Sequence, residues 1–136
     1  MGKIYNIFIS HSWQRAGAYE KLRNTLRKKI IFKPRLIPKG DPIHINGTDR
    51  ELKIAITDKI CNSHIVLIMA GEYSVYSKWV KKEIFIAKNG FANEKPIIGI
   101  KPSANTRVSE VVLDNADEVV DWNTDSIVSA IKSYAL

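Results

Sequence analysis

Residues 77–90, read Ser-Lys-Trp-Val-Lys-Lys-Glu-Ile-Phe-Ile-Ala-Lys-Asn-Gly, place a carboxylate where a helix needs hydrocarbon. At about 100° per residue, Trp79, Val80, Ile84, Ile86 and Ala87 share one arc. Lys78, Lys81, Lys82 and Lys88 lie on the other side, with Phe85 among them. Glu83 falls inside the apolar arc, and its neighbours three and four residues away are Trp79, Val80, Ile86 and Ala87. No lysine of the helix can pair with it locally, and an unpaired buried carboxylate is costly. Its pKa should rise unless a cation comes near. A ligand with a positive centre or hydroxyl donors would satisfy it, and so would a distant Lys or Arg; the pattern leaves both open.

Two other groups of residues could take part in the same chemistry. Ser10-His11-Ser12-Trp13 ends an apolar run, and its hydroxyls and backbone N–H groups could hold a phosphate or ribose, or simply cap a helix. Tyr73, Tyr76 and Trp79 could stack on a base or a nicotinamide ring, or pack in the core. There is no G-x-G-x-x-G and no phosphate-binding P-loop, which argues against a Rossmann dehydrogenase or an NTPase. His11, His44 and His64 show no metal-ligand spacing with Cys61, so no metal site is expected.

The elements that must position these residues alternate between strand and helix. Apolar strands are read at 3–10, 31–37, 64–71, 95–100 and 117–122. Pro34 makes 31–37 an edge strand, and the continuous apolar run 64–71 marks a strand buried on both faces. Residues 14–30 read as a helix with Tyr19, Leu22, Leu26 and Ile30 inward. Thr48 and Glu51 form a capping box that opens a helix with Leu52, Ala55, Ile56 and Ile60 inward. The helix holding Glu83 ends at Asn89-Gly90, a short helix is expected before about Leu113, and a last one carries Ile127, Ile131 and Tyr134 inward. Residues 38–48 read as a long loop.

This alternation predicts a single α/β domain over 1–136, a flavodoxin-like three-layer sandwich whose five-stranded parallel sheet has the order 2-1-3-4-5. In such sheets ligands bind beyond the carboxyl ends of the strands, at the switch between strands 1 and 3. Residues 10–15, 38–48 and 71–79 belong there, and Glu83 lies about one turn further into its helix.

The bulk numbers set bounds on this reading. A chain of 136 residues, 45% hydrophobic and 26% charged, suits one soluble domain. No apolar run is long enough for a transmembrane helix, no signal peptide is visible, and a single cysteine fits a reducing cytoplasm. The net charge of +7 suits an anionic ligand such as a nucleotide. Much of the excess lies on ordinary helix faces (Arg23, Arg27, Lys28, Lys78, Lys81, Lys82), so it gives nucleic-acid binding little support.

The residues also resemble a family. Tyr-Asn-Ile-Phe-Ile-Ser-His-Ser (5–12), followed by an amphipathic helix, resembles box 1 of TIR domains. Ser77-Lys-Trp79-Val-Lys-Lys-Glu83 is similar to the TIR motif Ser-x-Trp-x-x-x-Glu. Across 38–80 the chain looks most like the ThsB-type TIR-like proteins of bacterial Thoeris antiphage defence. It departs from the animal immune adaptors, whose Arg-Asp-x-x-Pro-Gly loop is replaced by Gly40-Asp41-Pro42.

The resemblance implies a catalytic Glu83, with Phe8, Ser10, Trp13, Tyr73, Ser77 and Trp79 as candidates for the substrate cleft. It implies NAD⁺ as substrate rather than cofactor, cleavage between nicotinamide and ribose, and a cyclic ADP-ribose-type messenger read by a separate effector protein. Self-association through the 38–48 loop is a further expectation. Two rival readings are a non-enzymatic TIR interaction module and an N-glycoside enzyme like the nucleoside deoxyribosyltransferases.

Overall fold

The computed structural model describes residues 3–14, 17–37, 47–71, 77–103 and 105–136, and for Ser77 the backbone alone. β1 (Ile4–Ile9) leads through a 3-10 turn (His11–Trp13) to α1 (Ala18–Arg27) and β2 (Ile31–Arg35). Then come α2 (Asp49–Cys61), β3 (Ile65–Met69), α3 (Ser77–Asn89), β4 (Ile97–Lys101), α4 (Glu110–Asn115), β5 (Glu118–Asp121) and α5 (Thr124–Tyr134).

All four strand pairings are parallel, and the order is β2-β1-β3-β4-β5. The flavodoxin-like α/β sheet expected from the pattern is therefore the one formed. β3 lies in the middle and all five of its residues are buried, which is why its sequence is apolar without alternation. β2 is an edge, where Pro34 can forgo a donor.

Alternate residues of each strand feed two cores. Ile7, Ile9, Leu67 and Ile98 pack with Leu22 and Leu26 of α1 and Ile127 and Ile131 of α5. Phe8, Val66, Ile68 and Ile97 pack with Ile56 and Ile60 of α2, Val80 and Ile84 of α3, and Val112 of α4. Helices thus cover both faces. Gly99 lets α4 approach β4, since a Cβ there would stand 2.9 Å from Val112 Cγ1.

Several boundaries differ from the sequence reading by a residue or more, and the differences at α1 and β2 have a visible context. α1 begins at Ala18 rather than near Gln14: Gly17 takes φ 73°, a left-handed conformation outside the helix, and stands as its N-terminal cap. β2 stops at Arg35, whose guanidinium donates to Asn6 Oδ1 of β1 from Nε (3.2 Å) and Nη2 (2.8 Å). The capping box forms as read: Thr48 Oγ1 accepts from Glu51 N at 3.1 Å, and Glu51 Oε1 accepts from Thr48 N at 3.4 Å. Tyr19, Ile30, Ala55 and Tyr134, expected inward, are only partly buried. Of the 38–48 loop, residues 38–46 lie outside the described residues. Among the described residues no helix is long and apolar enough to cross a membrane.

Candidate functional site

α3 buries the face that carries Glu83, and the carboxylate comes up against the end of β1. Glu83 is 2% exposed. Ser10 Oγ donates to its Oε1 at 2.6 Å, and the His11 backbone N–H donates to Oε2 at 3.0 Å and to Oε1 at 3.3 Å. These donors come from the turn that follows β1, so the site lies at the carboxyl end of the sheet, beside the β1–β3 switch. The lysines of α3 do not neutralise it. Lys78 and Lys82 reach Asp49 at 3.5 and 4.0 Å instead, and among the described residues Glu83 forms no ion pair.

A chain of hydroxyls fixes Ser10. Its Oγ accepts from Ser12 N (3.1 Å) and from Ser12 Oγ (3.0 Å), while Ser12 Oγ accepts from Met69 N at the end of β3 (2.9 Å). Ser10 N and Trp13 Nε1 both donate to Leu67 O at 3.1 Å. Ser10 is therefore both the cap of the 3-10 turn, one of the two roles left open by the sequence, and a donor to Glu83, which the sequence did not show.

Burial pushes the Glu83 pKa up to about 7; the Ser10 hydroxyl and the His11 amide pull it down and only partly offset the loss of water. Among the described residues no charged side chain contributes to the shift. A carboxyl so perturbed, beside a ligand-binding edge of the sheet, marks a candidate functional group.

The remaining candidates are distributed unevenly. Trp79, one turn before Glu83, is half-buried and stacks on the His11 imidazole with ring centroids 4.1 Å apart and planes at 14°. Phe8 is 1% exposed and belongs to the core with Val80 and Ile84. Trp13 is also 1% exposed but lies in the opposite core, where its ring meets Trp122 at 6.2 Å. Both were expected at a cleft and stand in the core instead, because the alternation of β1 and the tie to Leu67 O turn them inward. The Ser77 side chain and Tyr73 lie outside the described residues, as do 38–46 and 72–76, the segments expected to wall the cleft.

His11 is the residue that sequence reasoning undervalued. Its amide holds the carboxylate and its ring covers the tryptophan of the same motif. The available signal was its place directly after Ser10. His64, by contrast, is structural: its Nδ1 accepts from Asn6 N at 3.1 Å, and its own N–H donates to Asn6 O at 2.7 Å.

A family model described as "Thoeris protein ThsB, TIR-like domain" matches residues 8–107, a span that includes Ser10, Trp79 and Glu83. No curated protein matches the chain. Among solved structures, the crystal structure of a conserved protein from Enterococcus faecalis V583 aligns with a TM-score of 0.59 at 10% identity. The alignment covers 96% of this chain and 99% of that one, and at such identity the likeness concerns the fold alone.

Proposed function

The chain belongs to the family of Thoeris ThsB TIR-like domains, and from that premise we propose that it cleaves the nicotinamide–ribose bond of NAD⁺ and releases a cyclic ADP-ribose-type signal. The observation that supports this most is the Glu83 carboxyl: buried at the rim of the sheet and, among the described residues, held by a hydroxyl and an amide without a cation.

Nicotinamide already carries positive charge, so it needs no acid to leave. When the bond between C1′ of the ribose and the ring nitrogen breaks, its electron pair goes to that nitrogen. Neutral nicotinamide departs, and positive charge remains on C1′ and the ring oxygen of the ribose. An ionised carboxylate in a site with little water opposes that charge strongly, and its fixed donors cost no reorganisation during the step. The logic is that of glycoside cleavage with one carboxylate in place of two. Water adding at C1′ and giving up a proton yields ADP-ribose; a nucleophilic atom of the same molecule adding there yields the cyclic product. A diffusible product of that kind suits a separate effector protein as its reader.

Trp79 supports the reading as a stacking surface beside the carboxylate, with Tyr73 and Ser77 as further substrate contacts. Ser10 acts through Glu83, since its hydroxyl proton is committed to Oε1. Nicotinamide release by the purified protein, wild type against Glu83→Gln, is the test. The substitution should lower the rate by about 10²-fold or more. Equal release by both proteins would remove Glu83 from the chemistry. Self-association without any nicotinamide release would indicate an interaction module, and base exchange between deoxynucleosides with NAD⁺ untouched would indicate a deoxyribosyltransferase. Assembly through the 38–48 loop predicts activity rising faster than linearly with protein concentration.

A further inference from the structure

The opposite end of the sheet holds a surface hollow of about 420 Å³. It is lined by Lys3, just before β1, by Arg27 and Lys29 at the end of α1, and by Lys132 near the end of α5, with Tyr5 and Ile30 as its apolar flank. Among the described residues no acidic residue lines it. None of the four cations has an ion pair among the described residues. Arg27 and Lys132 stand in the last turns of their helices, where they complement the negative end of the helix dipole. That role does not account for Lys3 or Lys29. Lys3 holds its ammonium 5.2 Å from the centre of the Tyr5 ring.

The wider distribution of charge points the same way. Of the 14 acidic residues, Glu110, Asp114, Asp117, Glu118, Asp121 and Asp125 fall in one stretch without Lys or Arg. That stretch forms α4, β5 and the start of α5, and β5 is the edge of the sheet opposite β2. The rest of the chain is left with eight acidic residues against all 21 Lys and Arg.

From this juxtaposition we infer that the hollow at the amino end of β1 and β2 is a second binding site, for a small ligand carrying two or more phosphates such as a nucleoside diphosphate. Four unpaired cations around one hollow can neutralise a pyrophosphate group through charge-assisted hydrogen bonds. The volume lies within the roughly 300–1,000 Å³ typical of small-ligand sites. Tyr5 and Ile30 offer a flank for the sugar or base. The site is distinct from the one at Glu83, because β1 separates the two by its six residues, about 20 Å at ~3.3 Å per residue. It does not depend on the NAD⁺ reading.

Calorimetric titration of the full chain at low salt, with inorganic pyrophosphate and with ADP, tests this. Wild type should bind each saturably, and Lys29→Glu with Lys132→Glu should weaken both by at least about tenfold. Both side chains are exposed, so the double variant should keep its circular dichroism spectrum and its nicotinamide release. Absence of saturable binding would overturn the proposal. So would ADP binding that survives the double reversal and is lost in Trp79→Ala, which would place the ligand at the rim. Single-stranded RNA bound more tightly than ADP would also overturn it, by showing a nucleic-acid surface in its place.

Discussion

The two ends of the sheet treat charge in opposite ways. At the carboxyl end one acidic group is buried and satisfied by a hydroxyl and an amide, and the loss of water pushes its pKa up to about 7. At the amino end four cations stand together in solvent around a hollow. The difference shows that the number of charges is a poor guide to what they do. A single carboxylate out of water can change its ionisation with its surroundings, whereas exposed lysines and arginines can only attract.

The sharpest way to break this contrast is to remove the buried charge and follow stability with pH. Below pH 4.5 the folded and unfolded chains both hold the Glu83 proton, and burial costs nothing through ionisation. Between pH 4.5 and about 7 the folded protein keeps a proton that the unfolded chain has released, so rising pH lowers stability. Above pH 7 the loss is complete, on the order of 3 kcal/mol. Urea unfolding from pH 4.5 to 8 should show wild type losing about that much relative to Glu83→Gln. Parallel pH curves for the two proteins would mean that the carboxylate is well solvated.

A smaller effect should follow from Ser10→Ala. Its hydroxyl lowers the Glu83 pKa, so its removal should carry the acidic limb of kcat/KM, otherwise near pH 7, to higher pH. A hydrogen bond to a charged group contributes about 1.5 kcal/mol or more, so the rate at neutral pH should drop roughly tenfold. Ser10→Thr, which keeps the hydroxyl, should retain the wild-type limb. An unchanged profile in Ser10→Ala would separate Ser10 from the ionisation of Glu83.

The weakest effect is expected from Asp49→Ala, measured by thermal unfolding. Asp49 and Lys78 are mostly exposed, and their pairing should contribute under about 1 kcal/mol. A larger loss would mean that surface ion pairs between α2 and α3 hold the Glu83 helix in place.

The fold was legible because its signals are local. The continuous apolar run of β3, the proline of β2 and the Thr48–Glu51 box each carry their cause within a few residues. Glu83 was legible as an anomaly for the same reason, since its helical neighbours are all apolar. Its partners were not, because Ser10 and His11 lie 73 and 72 residues away and only the packing of α3 on the end of β1 brings them together. The inward turn of Phe8 and Trp13 was hidden too: an aromatic residue at the end of a strand reads alike whether it lines a cleft or fills a core.

The serine pair gives the site a polarity. Met69 N–H gives its hydrogen to Ser12 Oγ, Ser12 gives its own to Ser10, and Ser10 gives one to Oε1. Traffic on this path runs one way, from strand to carboxyl. Because Ser10 gives its hydrogen to Oε1, this arrangement favours the ionised carboxyl. Protonation of Glu83 works against the serines: either the acid hydrogen sits on Oε2, or the hydroxyls turn round.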